Sequence, residues 1–308
     1  MRTWSFPTSR SSRLLTPAVM LGLGSFVACG GGGDSSEAGG MDGLAKEGPA
    51  VNFAQLYPKE GAVVVTKMAM NGDVAIKATL EGQDMTGSVK TVGSTTQEAT
   101  YVRFEDGKPV ELVVKTVEDK QSTTSNMMGQ VSTENEEGSF VGREVREVHG
   151  PNGWEAVLLG EEPSLEQSAE LEGWDFELEG HNEMYPDRAV NVGESWVVDG
   201  EEALAIFGGD QEDMDTGSFK MKFSGYESCN SGQCPVVSGE FTMGGTIEEG
   251  MPMKLSFNGK FKQVVDPVTG VSPKVSFKGE MSMEGSMGPG AELKGKGPMT
   301  MILTQSVR

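Results

Sequence analysis

The chain is poor in the side chains that carry most catalytic and metal chemistry. Its 308 residues include only 2 His and 3 Cys, which excludes any large His- or Cys-ligated metal centre. Cations are also scarce: 25 Lys+Arg face 46 Asp+Glu, a formal net charge of −21. A chain this acidic is not built for nucleic acid, whose phosphates call for clustered Lys and Arg. There is no G-x-S-x-G, no HExxH and no P-loop. His149 and His181 have no Ser or Cys elbow near them, and Gly30 to Gly33 is low-complexity sequence rather than a phosphate cradle. No cofactor is expected. What the chain has in excess is glycine and methionine, 43 and 19 residues, beside an ordinary apolar content of 36%. That content excludes a chain disordered throughout.

The N-terminus divides into three parts. Arg2, Arg10 and Arg13 form a positive region without acids, and Leu14 to Val27 is apolar and too short to span a bilayer. Together they have the layout of a secretory signal. Phe26-Val27-Ala28-Cys29, with a Cys directly after a small residue, resembles the lipobox of bacterial lipoproteins. In that family the Cys is acylated and becomes the first mature residue, so the resemblance implies a signal over 1–28 and lipidation of Cys29. A non-acidic second residue, here Gly30, implies outer-membrane delivery, facing the periplasm or the cell surface. The alternative is an ordinary cleaved signal with an incidental Cys. Residues 29–58 are small and polar and are expected to act as a flexible tether. Removing residues 1–28 takes away three Arg and no acid, so the remaining charge is 22 − 46 = −24. On that total the domain is expected to stand off anionic head groups, held by its anchor.

From residue 59 to 308 the pattern has period two, broken by turn residues. Phe219, Met221 and Phe223 alternate with Lys220, Lys222 and Ser224, and the alternation continues through Met253–Val265, Val271–Met287 and Ala291–Leu303. The expected class is all-β: a long-stranded antiparallel meander making a curved sheet or half-barrel. If Val265 faces Val271, Phe257 lies opposite Gly279. If Met287 faces Ala291, Met283 and Met281 lie opposite Gly295 and Gly297. Large side chains over glycines curve a sheet without losing packing. Earlier strands are expected at 86–92, 98–105, 109–118, 139–149 and 154–159. Hairpin turns are expected at Asn71-Gly72 and Asn152-Gly153, and a mobile acidic loop at 119–138. Short helices are expected at Pro163–Glu172 and Glu201–Phe207. Asp84–Lys90 echoes Asp213–Lys220, which leaves open chance or a duplication into halves 59–160 and 185–308.

Pro186 to Trp196 resembles a segment of uncharacterised bacterial lipoproteins of the DUF6263 type, in which a proline-led stretch enters a Val-x-Val-Gly-[DE]-[ST]-Trp strand. That resemblance implies no chemistry; Val190 and Val192 should face inward, Gly193 turn, and Trp196 pack. The overall plan is similar to open β-sheet carriers of the LolA and LppX type, in architecture alone.

Cys229 and Cys234 bracket a hairpin tip and are the two thiols left once Cys29 is acylated, so a disulfide is expected. It requires a bulge at Ser224-Gly225, which also turns Tyr226 inward. Asp210, Glu212, Asp213 and Asp215 are weak cation candidates without EF-hand spacing, more simply a solvated turn. Glu134, Glu136, Glu137, Glu161 and Glu162 read as solvated. Trp154, Trp174 and Trp196 read as core or rim residues. The Met-rich apolar face is suited to a variable apolar ligand, with Met221, Met243, Phe257, Phe277, Met281 and Met301 as candidate contacts. Three functions follow: a membrane-anchored lipoprotein binding a lipid or other apolar molecule; a structural or interaction lipoprotein with a fully packed core; and an acid-dependent hydrolase, for which no carboxylate pair can be chosen.

Overall fold

A computed structural model of the chain describes residues 43–80, 83–151, 153–172, 174, 184–205, 216–247, 252–288 and 291–308. Alternation becomes strand almost everywhere. The strands are β1 Val63–Leu80, β2 Gln83–Glu105, β3 Lys108–Met127, β4 Gln130–Glu137, β5 Glu144–Gly150 and β6 Gly153–Leu158. They continue with β7 Ser195–Asp199, β8 Thr216–Cys229, β9 Gly232–Ile247, β10 Met253–Asp266, β11 Val271–Gly288 and β12 Ala291–Val307. All twelve join one antiparallel, curved sheet that does not close. Its order is β6-β5-β3-β2-β1-β12-β11-β10-β9-β8-β7, with β4 paired to β3 off this path. β1 is therefore central: the earlier strands unroll to one side, and the later ones return so that β12 pairs with β1. Residues 59–160 and 185–308 are two wings of one sheet.

Among the described residues two short helices accompany the sheet, α1 Leu165–Glu172 and α2 Glu201–Ala205. Ser164 and Gln167 form a reciprocal cap at the start of α1: the Gln167 N–H donates to Ser164 Oγ (3.2 Å) and the Ser164 N–H to Gln167 Oε1 (3.0 Å).

Asn71-Gly72 does not turn the chain. β1 runs straight through it, with Gly72 paired to Met299 on one side and Thr91 on the other. The reason is parity. A two-residue turn pairs residues i and i+3, which would set the buried even residues Met68 and Met70 against the exposed odd residues Ala75 and Asp73. Val64, Met68, Met70, Val74, Ile76 and Ala78 are all buried, so only an unbroken strand keeps them on one face. At the second expected hairpin the parity does change: Val145 and Leu158, both buried, pair across a turn bounded by Gly150 and Gly153.

Three further expectations are corrected. The expected strands 86–92 and 98–105 are parts of one strand, β2, with register shifts after Thr96, Tyr101 and Arg103. The expected mobile loop 119–138 is the end of β3 and all of β4. It turns through Met128 and Gly129, both left-handed (φ 52° and 80°), and is laced by Thr124–Thr133 (3.1 Å) and Ser125–Ser132 (2.7 Å) hydroxyl contacts. Exposure along the whole of β4 removes the apolar alternation that would have announced it. Part of the segment expected as a tether over 29–58 is instead built into the fold. Residues 45–57 lie on the fold, with Ala45 bridged to Tyr226, Val51 bridged to Val190, and Phe53 in a 3-10 turn with 1% exposure.

The expected β11–β12 pairs Met281–Gly297 and Met283–Gly295 form, although the turn itself closes on Gly288–Ala291. The β10–β11 register differs by two residues. Asp266 pairs with Val271 across a register shift, so Phe257 meets Met281 and Gly259 meets Gly279. The aromatics then lean over the glycines diagonally: a Cβ on Gly259 would meet Phe241 Cζ at 2.8 Å, and one on Gly279 would meet Phe257 Cε2 at 3.0 Å.

Candidate apolar ligand face

The sheet has an inner face of Phe, Met and Val and an outer face of Lys, Ser, Thr and Glu. The six candidate contacts all lie on the inner face, and the structure separates them by enclosure. Met221 (1% exposed), Met243 (5%), Phe257 (8%), Phe277 (1%) and Met301 (2%) belong to one closed core cluster. Met281 is only partly buried at its margin.

The cover over this core is the feature missed in the sequence. Phe53 stacks on Tyr185 and meets Phe223 edge-on, both at 5.2 Å between centroids. Met184, Tyr185, Val190 and Ala203 close the same cluster from the connecting segments. The run Val51-Asn52-Phe53-Ala54-Gln55-Leu56-Tyr57 is the apolar island that could have revealed it. Beneath the cover runs a buried polar chain. Tyr185 Oη donates to Gln263 Oε1 (2.6 Å), Gln263 Nε2 to Ser272 Oγ (2.8 Å), and the Ser272 N–H to Gln305 Oε1 (2.7 Å). Burial pushes the Tyr185 phenol well above its usual range. Burial, then the charge of Asp187, pushes Tyr57 up to about 12.

The Pro186–Trp196 segment serves this cover. Val190 is fully buried, Gly193 is left-handed (φ 88°), and Trp196 Nε1 donates to the Met184 carbonyl (3.0 Å). Glu194 binds Arg188 (2.5 Å) and accepts the Asn191 N–H (3.1 Å). Those contacts, the Arg188 hydrogen bond first, pull its carboxyl down to about 2.

At the opposite end of the strands the inner face changes character. Met253 and Leu255 are buried against Met283 and Leu293, a cluster whose described members are all strand residues. Met85 and Val89 of β2, Met127 of β3, and Met281 and Met283 of β11 are only partly buried there. The inner face is thus a sealed half joined to a half-exposed, methionine-lined half.

Among the other expected sites, Cys229 and Cys234 lie at bonding distance with Cα atoms 5.8 Å apart. The required irregularity occurs between Phe223 and Gly225, and Tyr226 is turned into the core. The pair is not on a wholly polar surface: Cys234 is fully buried with Val236 and Val264, and Leu44 packs over them. Trp174 donates to Glu147 Oε1 (2.8 Å), and Trp154 meets His149 edge-on at 5.2 Å. Asp119 is held above its usual range by burial, with Glu137 adding to the effect and the Thr95 hydrogen bond opposing it. Cys29, His181 and the acids Asp210, Glu212, Asp213 and Asp215 lie outside the described residues, as does part of the 213–220 echo. Among the described residues no group of three or more His, Cys, Asp or Glu could hold a metal ion. No described helix is long and apolar enough to cross a membrane.

No protein-family model matches the chain, and no curated protein does. A crystal structure of a DUF1329 family protein from Desulfovibrio piger is similar over 78% of this chain and 85% of that one. Identity is 12% and the TM-score is 0.15, too low to support an inference about fold or function.

Proposed function

We propose that the protein is an exported lipoprotein, anchored to the outer membrane through acylated Cys29, that binds an apolar ligand on the half-exposed end of its inner sheet face. The observation that carries the ligand reading is the division of that face. One half is covered by Phe53, Tyr185 and Val190, while the other presents Met85, Met127, Met281 and Met283 only partly buried. Methionine is flexible and polarizable and adapts to apolar partners of variable shape. A face intended only as core gains nothing from leaving four methionines partly open to water. The binding residues proposed are therefore Met281, one of the six candidates, with Met283 on the same strand, Leu293 on the neighbouring β12, and Met127 across the face on β3.

Native mass spectrometry of the protein purified from its host tests this reading. A co-purifying lipid or other apolar molecule, lost in Met281→Glu, is expected. An empty protein would favour instead a structural or interaction lipoprotein, a reading supported by the dense packing of Met221, Met243 and Phe277. Mass analysis of the membrane fraction tests the anchor separately, because acylation adds a defined mass to the peptide beginning at Cys29.

A further inference from the structure

The charge of this chain is unevenly placed, and one face contradicts the total. Strands β8–β11 carry Lys220, Lys222, Lys254, Lys260, Lys262, Lys274 and Lys278 against Glu227, Glu240, Asp266, Glu280 and Glu284. That is 7 − 5 = +2 on four strands of a chain whose net charge is −21. Lys262 pairs with Glu227 (2.6 Å) and Lys260 with Glu240 (3.4 Å). Lys220, Lys222, Lys274 and Lys278 are exposed and have no ion pair among the described residues. Lys260 stands directly opposite Lys278 on one side and Glu240 on the other, so Glu240 offsets one of the two lysines.

We propose that this outer face of β8–β11 docks on the anionic phospholipid head groups of the membrane that holds the chain. Charge complementarity is the first support. At physiological salt the screening length is about 8 Å. The exposed acids of β4 (Glu134, Glu136 and Glu137) sit on the other wing of the sheet, so they do not cancel the patch. The second support is where the N-terminal segment meets the fold. Leu44 packs on the outer-face cluster of Cys234, Val236 and Val264, and Val264 stands opposite Lys274. From Cys29 to Gly43 is 43 − 29 = 14 residues. Such a length spans at most about 50 Å, so an anchor at Cys29 lies within that reach of the point where Leu44 packs on this face. The orientation rests on the anchoring reading above; the affinity of the face does not. The stand-off expected from the total charge gives way to contact through this patch.

The test uses residues 29–308 with Cys29→Ser, which keeps every described element and lacks the acylation site. Sedimentation with phosphatidylcholine vesicles, with and without phosphatidylglycerol, measures binding. Binding only to the anionic vesicles, abolished near 1 M salt where the screening length falls to about 3 Å, is expected. Lys222→Glu/Lys274→Glu/Lys278→Glu should weaken it at least tenfold and the corresponding Gln triple by less, while Lys77→Glu/Lys90→Glu, on β1 and β2 and outside the docking face, should leave it unchanged. Absence of binding, equal binding to neutral vesicles, or an unaffected triple variant overturns the proposal. Loss of the acyl mass at Cys29 in the native protein would overturn the anchor alone, because the vesicle assay uses no anchor.

Discussion

At the scale of single residues, Phe53 separates a tether from a structural cover. A residue in a flexible tether contributes nothing to folding, whereas Phe53 is 1% exposed between Tyr185 and Phe223. Phe53→Ala is expected to lower unfolding free energy by about 3–5 kcal/mol, the usual cost of emptying a buried aromatic site. Denaturant titration measures it; a change within about 0.5 kcal/mol, as for a surface site, would return residues 45–57 to the tether. The glycines carry a second lesson at this scale. The strand positions of Gly259 and Gly279 are legible from parity, but their neighbours are not. A turn that closes on Asp266 instead of Val265, together with one bulge beside it, moves the register by two and converts direct Phe–Gly pairs into diagonal cover.

Among the elements, the ones legible in the sequence are those with one wet and one dry face. β8 to β12 and β1 show this in the clean exchange of Lys or Ser with Met, Phe or Val. β4 could not be read, because a strand wet on both faces has no periodicity to show, and its Ser and Thr pairs resemble loop composition. Asn71-Gly72 misled for the opposite reason: a strong local turn signal lost to the parity of six apolar residues. The entry to β7 combines both kinds of information. Val190 and Trp196 are readable as packing residues, but the Arg188–Glu194 pair that fixes the turn is visible only in three dimensions. Its carboxyl titrates at about 2 in the fold against an ordinary 4.5. The folded state therefore holds fewer protons than the unfolded one between these values, and the stabilisation is complete above 4.5 and lost as pH falls toward 2. Glu194→Gln should flatten that part of the acid limb of a thermal-stability profile. Parallel loss in both proteins would show that the pair contributes nothing to the turn.

For the whole molecule, the decisive contact is the one most distant in sequence. β12 closes on β1 from Val64–Val307 to Thr79–Glu292, so the two wings share a single set of strand pairings instead of facing each other as modules. A chain of two similar domains would have buried its N-terminal half within itself; here the central strand is completed by the last strand. Long-range pairing of this kind has a high closure entropy and forms late, but once formed it couples everything that hangs from it. Met301 sits at the joint, 2% exposed, opposite Met70 on β1 and Phe277 on β11. Met301→Asp places an unpaired carboxylate there, a change in the class that costs upward of about 4 kcal/mol. Hydrogen exchange read strand by strand should show protection falling in β2 and β3 as well as in β9 and β10. If β2 and β3 kept their protection while β9 and β10 lost it, the wings would be independent folding units. The half-exposed methionine end, shared by β2, β3, β11 and β12, would then lose its shape as one surface. The ligand proposal thus depends on the same closure that makes the sheet one body.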